Sequence, residues 1–140
     1  MIQEIGQWIE NRTGMTIGVD LFIGHLPLRK PGGPPPPLRY SLILENASGA
    51  TEGDWPDYVQ KPIQVLTRAQ TYFTARADAM RIYKAIHGQA GWYLPVLTSG
   101  EVYLANTIDA VAPPAPIENP NDQGIFTFSA NYVLRITDPT

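Results

Sequence analysis

A chain of 140 residues with 44% hydrophobic and 16% charged side chains holds one domain with one core, and is too short for two comfortable ones. It has no cysteine, which excludes disulfides and thiolate metal sites; Met1–Gly14 carries Glu4 and Glu10 with no basic stretch, unlike a secretory leader; and no apolar run approaches the roughly 18–20 residues of a membrane span. Net charge is −3, which gives no sign of the basic domain that nucleic-acid binding usually requires.

In chain order, Ile2, Ile5 and Ile9 recur at helical spacing beside Trp8, which predicts a helix of about three turns ending near Asn11–Gly14. Ile17, Val19, Leu21 and Ile23 then alternate with more polar positions, a strand pattern. Leu38, Tyr40, Leu42 and Leu44 alternate in the same way. Between the two lies Pro27–Pro37, in which proline removes backbone donors and fixes φ, so the segment stays out of a sheet interior. Pro34–Pro37 favours a stiff polyproline II run. The two strands and their long connection are expected to form a hairpin with a projecting arm.

Asn46–Pro56 reads as loop, and Val59–Arg68 as a third strand whose inward set is Ile63 and Val65. Pro62 implies that this strand either begins at a sheet edge or starts late. Tyr72–His87 carries the strongest helical pattern, with Tyr72, Ala75, Ala79, Ile82, Tyr83 and Ile86 on one stripe. Thr71 or Thr74 suits its N-cap, and Gly88 its C-terminal stop. A second apolar group, Phe73, Ala77 and Met80, lies to one side, either as a broad core face or as a contact patch between subunits. Gln89–Thr98 reads as a connection anchored by Trp92 and Tyr93. A strand over Val102–Ala110 follows, broken at Asn106, and then a second proline-stiffened loop over Ala112–Gln123. Phe126, Phe128, Ala130, Tyr132, Leu134 and Ile136 alternate with mostly polar residues, as a half-buried antiparallel strand requires. The expected fold is a single α+β domain over 1–140, two helices on one face of a mostly antiparallel sheet, in the order α-β-β-β-α-β-β.

Charge is well below the usual share of about 25%, which suggests surface covered by partners. It is also unevenly placed. Lys61–Gly100 holds five basic residues (Lys61, Arg68, Arg76, Arg81, Lys84) against Asp78, and Glu101–Thr140 holds five acidic residues (Glu101, Asp109, Glu118, Asp122, Asp138) against Arg135. Either these segments neutralise each other within one domain, or opposite faces of identical subunits meet head to tail.

The residues offer no catalytic constellation. His25 and His87 are far apart, one after a strand and one at a helix end, as surface or capping histidines. Ser99 lies in a Thr-Ser-Gly-Glu turn, not in a nucleophile elbow. Glu52 and Asp54 share a surface loop. Gly32–Gly33 is not followed as a phosphate loop requires. No enzyme activity, metal or cofactor is expected. Pro31 and Pro34 form a minimal PxxP spacing, so an SH3-like or other host partner is one alternative reading of the arm.

The block Gln64–Ala69 followed by TYFTARADAMRIYKAIHG resembles the strand-then-helix centre of bacteriophage tail terminator and minor capsid proteins, and the order of elements is similar along nearly the whole chain. The resemblance implies a structural protein of the virion that caps the tail tube as a hexameric ring and joins it to the head. The implied partners are further copies of itself, the tail tube protein and a head-completion or stopper protein. DNA would meet it only by passage through the lumen, with no membrane involved, and assembly would take place in the host cytoplasm. A connector of the same neck is the alternative within phage. Candidate interface residues are Leu28, Arg29, Lys30, Pro31, Pro34, Pro35, Pro36 and Pro37 of the arm, with Phe73, Ala77 and Met80 of the helix flank.

Overall fold

The computed structural model describes residues 2–26, 31–33, 37–45, 58–117 and 124–137. Of the candidate interface, Leu28, Arg29, Lys30, Pro34, Pro35 and Pro36 lie outside the described residues, as do Glu52 and Asp54.

Helix α1 (Ile2–Thr13) buries Ile5, Trp8 and Ile9, the stripe its spacing predicts. It ends where Gly14 takes φ +75°, a conformation that costs glycine little, while its N–H still reaches the Glu10 carbonyl at 2.9 Å. The strand expected over 17–23 is shorter than its pattern: β1 covers only Leu21–Ile23, preceded by a single bridge at Ile17. The cause is local. Asp20 accepts the Thr16 N–H at 2.7 Å, and the Thr16 carbonyl accepts from Val19, Asp20 and Leu21. These bonds fold the intervening residues into a turn, and Val19 faces solvent.

Strand β2 (Tyr40–Glu45) pairs with β1 in parallel, Leu21 opposite Ser41 and Ile23 opposite Ile43. The expected hairpin is therefore a crossover. Residues 24–39 exceed the dozen or so that a parallel connection needs, and proline stiffness sets no direction of return. β3 (Tyr58–Ala69) runs antiparallel to β2 on one side and to β7 (Phe126–Thr137) on the other. β2 pairing extends only to Glu45 opposite Ile63, one residue beyond Pro62, so this strand is central along its second half and proline sits where the β2 partner has ended.

Helix α2 (Tyr72–Ile86) is capped by Thr71, whose hydroxyl accepts the Thr74 N–H at 3.2 Å. Its buried stripe is Ala75, Asp78, Ala79, Ile82 and Ile86; Tyr72, expected in the core, stands at its rim. The connection expected over Gln89–Thr98 contains a strand, β4 (Ala90–Tyr93), which pairs with β5 (Leu104–Ala110). Its alternation turns Trp92 inward, stacked on Trp8 with centroids 4.5 Å apart, and Tyr93 outward. A bulge falls at Asn106, where the sequence pattern breaks, and the Asn106 amide donates to Thr137 Oγ1 at 2.7 Å. The second proline loop adds a two-residue strand, β6 (Ala115–Pro116), beside β7. The order is the expected one with two short strands added.

The sheet runs β1-β2-β3-β7-β5-β4, antiparallel except at β1–β2. Both helices pack on one face, over Ile43, Ile63, Val65, Ile108, Tyr132 and Leu134. The period-two reading of β7 holds from Phe128 to Ile136, every second side chain being buried. On the opposite face Phe22, Tyr40 and Leu42 form a smaller cluster with Leu26, Leu44 and Leu66.

Candidate functional site

Several groups that could carry chemistry serve the fold. His87 caps α2, its Nδ1 accepts the Ala110 N–H at 2.9 Å, and its ring stacks on Tyr83 at 4.8 Å. His25 is exposed after β1. Ser99 sits in the turn closed by the Gly100 N–H on the Leu97 carbonyl (2.9 Å). Among the described residues no group of His, Asp and Glu is arranged to hold a metal ion, and no helix is long and apolar enough to cross a membrane.

The perturbed ionisable groups also have structural causes. The Ile17 N–H, with help from Gln7, holds the Glu10 carboxyl below its ordinary value. Burial, with Tyr83 adding to it, pushes the Tyr132 hydroxyl upward. Hydrogen bonding and charge from Asp78 raise Arg39.

What the fold presents instead is a surface on α2. Turning Ala75, Ala79, Ile82 and Ile86 inward leaves Phe73, Arg76, Ala77 and Lys84 outside, with Met80 half-buried among them. Phe73 is 80% exposed. Its ring meets Tyr72 edge-on at 5.5 Å, and Tyr72 leans in turn on Phe126 (6.1 Å) and Phe128 (5.2 Å). The flank is thus a supported aromatic ledge outside the core.

The base of the proline segment comes to the same helix. Arg39, just before β2, grips Asp78 with two bonds of 2.8 Å, Nε to Oδ2 and a terminal nitrogen to Oδ1. Asp78 is nearly buried, Arg39 largely exposed. This fork ties the end of the crossover to the middle of α2, so Pro37 emerges near the helix that carries Ala77 and Met80. Pro31 is exposed.

Among the described residues the basic and acidic segments are not joined by an ion pair. The ion pairs among the described residues are Arg39–Asp78, Lys61–Glu45 and Arg135–Asp109. None joins the basic Lys61–Gly100 segment to the acidic segment after it, and Arg76 and Lys84 have no carboxylate partner there. Sequence reasoning missed a second exposed apolar group, Tyr93 and Val96 at the β4 edge. The alternation in Ala90–Tyr93 was the signal, but Trp92 and Tyr93 read as a pair of anchors rather than as residues on opposite faces.

A family model described as bacteriophage tail terminator protein matches residues 8–138. Among solved structures, a chain of the virion of a native gene transfer agent (GTA) particle shares this fold with a TM-score of 0.58 and 12% identity, over 92% of this chain and 84% of that one. No curated protein sequence matches. With nearly its whole length inside the family match, the chain belongs to the bacteriophage tail terminator family, structural proteins of the virion.

Proposed function

We propose that this protein is a ring subunit, six copies to the ring, that caps the tail tube and joins it to the head. The family match over residues 8–138 carries this reading. The protein acts by contact and has no catalytic step. The ring stops tube growth on one side and offers a docking surface for head-completion proteins on the other, with DNA passing through its lumen. Its place is the neck of the virion, after assembly in the host cytoplasm. The arm Leu28–Pro37 and the flank Phe73, Ala77 and Met80 make contacts between subunits or with neighbouring virion proteins. The low charge, the exposed ledge at Phe73 and the arm base tied to α2 support that assignment. A proline-stiffened arm loses little freedom on docking.

Light scattering of the purified protein, with electron microscopy of particles, tests this. A closed ring is expected, and deletion of Arg29–Pro36 is expected to leave the fold intact and impair assembly. A monomer under all conditions, with no ring of this chain in particles, would refute the reading. Complete free tails beside unplugged heads, in particles lacking this chain, would assign it to the connector instead.

A further inference from the structure

We propose that the Arg39–Asp78 fork is an aiming device: it sets the direction in which the proline segment leaves the domain, and is not kept for stability. The proposal deepens the ring reading, in which that segment makes contacts.

Asp78 is an expensive residue for its place. It lies in the buried stripe of α2 with Ala75, Ala79 and Ile82, where an apolar side chain would pack without losing water. Both of its oxygens are taken by one guanidinium, Oδ2 by Arg39 Nε and Oδ1 by a terminal nitrogen, each at 2.8 Å. The Arg39 side chain is largely exposed, so water screens the attraction. Replacing a pair of this kind by apolar residues is often neutral or stabilising. What the two-bond fork supplies beyond charge is orientation.

Its position in the chain gives that orientation a use. The ladders of β2 end at Tyr40 opposite Arg68 of β3, and at Ser41 opposite Leu21 of β1. Arg39 is the residue just outside them, and the fork turns it to the helix face. Tyr40, next to it, is buried on the opposite face, where Arg68 Nη1 donates to its hydroxyl at 2.8 Å. Two adjacent residues are thus clamped on the two faces of the sheet, which fixes the rotation of the chain about its own axis as it enters β2. The four residues Pro34–Pro37 lie just before this clamp in sequence, and a proline run bends little. A direction set at Arg39 is therefore carried outward along the segment. A segment already aimed has less freedom to lose on docking.

The test replaces the fork by Arg39→Met with Asp78→Leu in the full chain. The chain has no cysteine, so spin labels on Pro31→Cys and Lys84→Cys, both exposed positions, report the distance from the segment to α2. Labelled chain is diluted into excess unlabelled chain, so that neighbouring copies do not contribute. The distance distribution is expected to be narrow with the fork and at least twofold broader without it. The urea midpoint of the double variant is expected to equal or exceed that of the wild type, and the concentration at which rings form to rise at least tenfold. If the double variant does not fold, Arg39→Lys takes its place, since lysine keeps the charge but not the two-bond fork. A distribution unchanged in the folded variant, a double variant that folds with a clearly lowered midpoint, or rings that form as readily as before would overturn the proposal and leave the ring reading intact. A wild-type chain monomeric at every concentration would overturn the ring reading, while the distance measurement still decides the aim.

Discussion

Gly6 faces Ile23 of β1 with no room for a side chain, and its substitution gives a change of sign that can be measured. A Cβ at position 6 would lie 2.2 Å from Ile23 Cδ1 and 2.8 Å from Ile23 Cγ1, with Ile43 Cδ1 at an ordinary 3.9 Å. The terminal methyl could swing away, but Cγ1 hangs directly on the Ile23 Cβ, so a rotamer or the β1 backbone must move. Overpacking of this kind costs about 1–3 kcal/mol. Against it stands the helix preference of alanine over glycine, about 1 kcal/mol. Gly6→Ala is therefore expected to destabilise the protein by up to about 2 kcal/mol, the difference of those two effects. In an Ile23→Ala background both close atoms are gone, only the helix preference is left, and the same change should stabilise by about 1 kcal/mol. Urea unfolding of the four proteins measures the coupling, expected on the order of 1–3 kcal/mol. A stabilising Gly6→Ala in the wild-type background, with no coupling to position 23, would refute the close approach of α1 to β1.

Three further outcomes follow from the core and its polar groups. Ile82→Ala removes a fully buried side chain of α2 from the main core and should cost about 2–5 kcal/mol, read as a lowered denaturation midpoint at unchanged m-value. Tyr132→Phe removes a buried hydroxyl that has no partner among the described residues, and should leave stability unchanged or raise it; a clear loss would reveal a hydrogen bond at that oxygen. Glu10 has its folded pKa held below its unfolded value, so its contribution is present above the ordinary carboxylate range and lost as pH falls through the depressed value. The stability gap between wild type and Glu10→Gln should therefore shrink on acidification through that window, and a gap that is flat with pH would contradict the bond to Ile17.

The candidate surface was partly legible in the chain. Phe73, Ala77 and Met80 fall off the main stripe of α2 at helical spacing, and that offset alone marks them as a separate group. Whether such a group is core or surface depends on how wide a face the sheet covers, which local spacing does not carry. In the fold, Ala75 and Ala79 sit close against Ala69 and Phe128, and the small side chains on that side leave Phe73 outside. The tie between Arg39 and Asp78 joins residues far apart in sequence, and no local pattern signals it.

By itself the sequence determined the periods: 3.6 for both helices, 2 for β3 and β7, and a break at Asn106. These are properties of neighbouring residues, set by backbone sterics and the need to bury one face. Tertiary structure decided the pairings. It made β1 and β2 parallel, because residues 24–39 are long enough to return in either direction and only the packing of α1 and the Ile43 side of the sheet chooses between them. It made a strand of Ala90–Tyr93, where Ala90, Trp92 and Tyr93 pair with β5, Gly91 takes φ +69°, and Trp92 stacks on Trp8. It also set Phe73 and Tyr93 at opposite ends of one long strand, since distance across a sheet is fixed by which strands it joins.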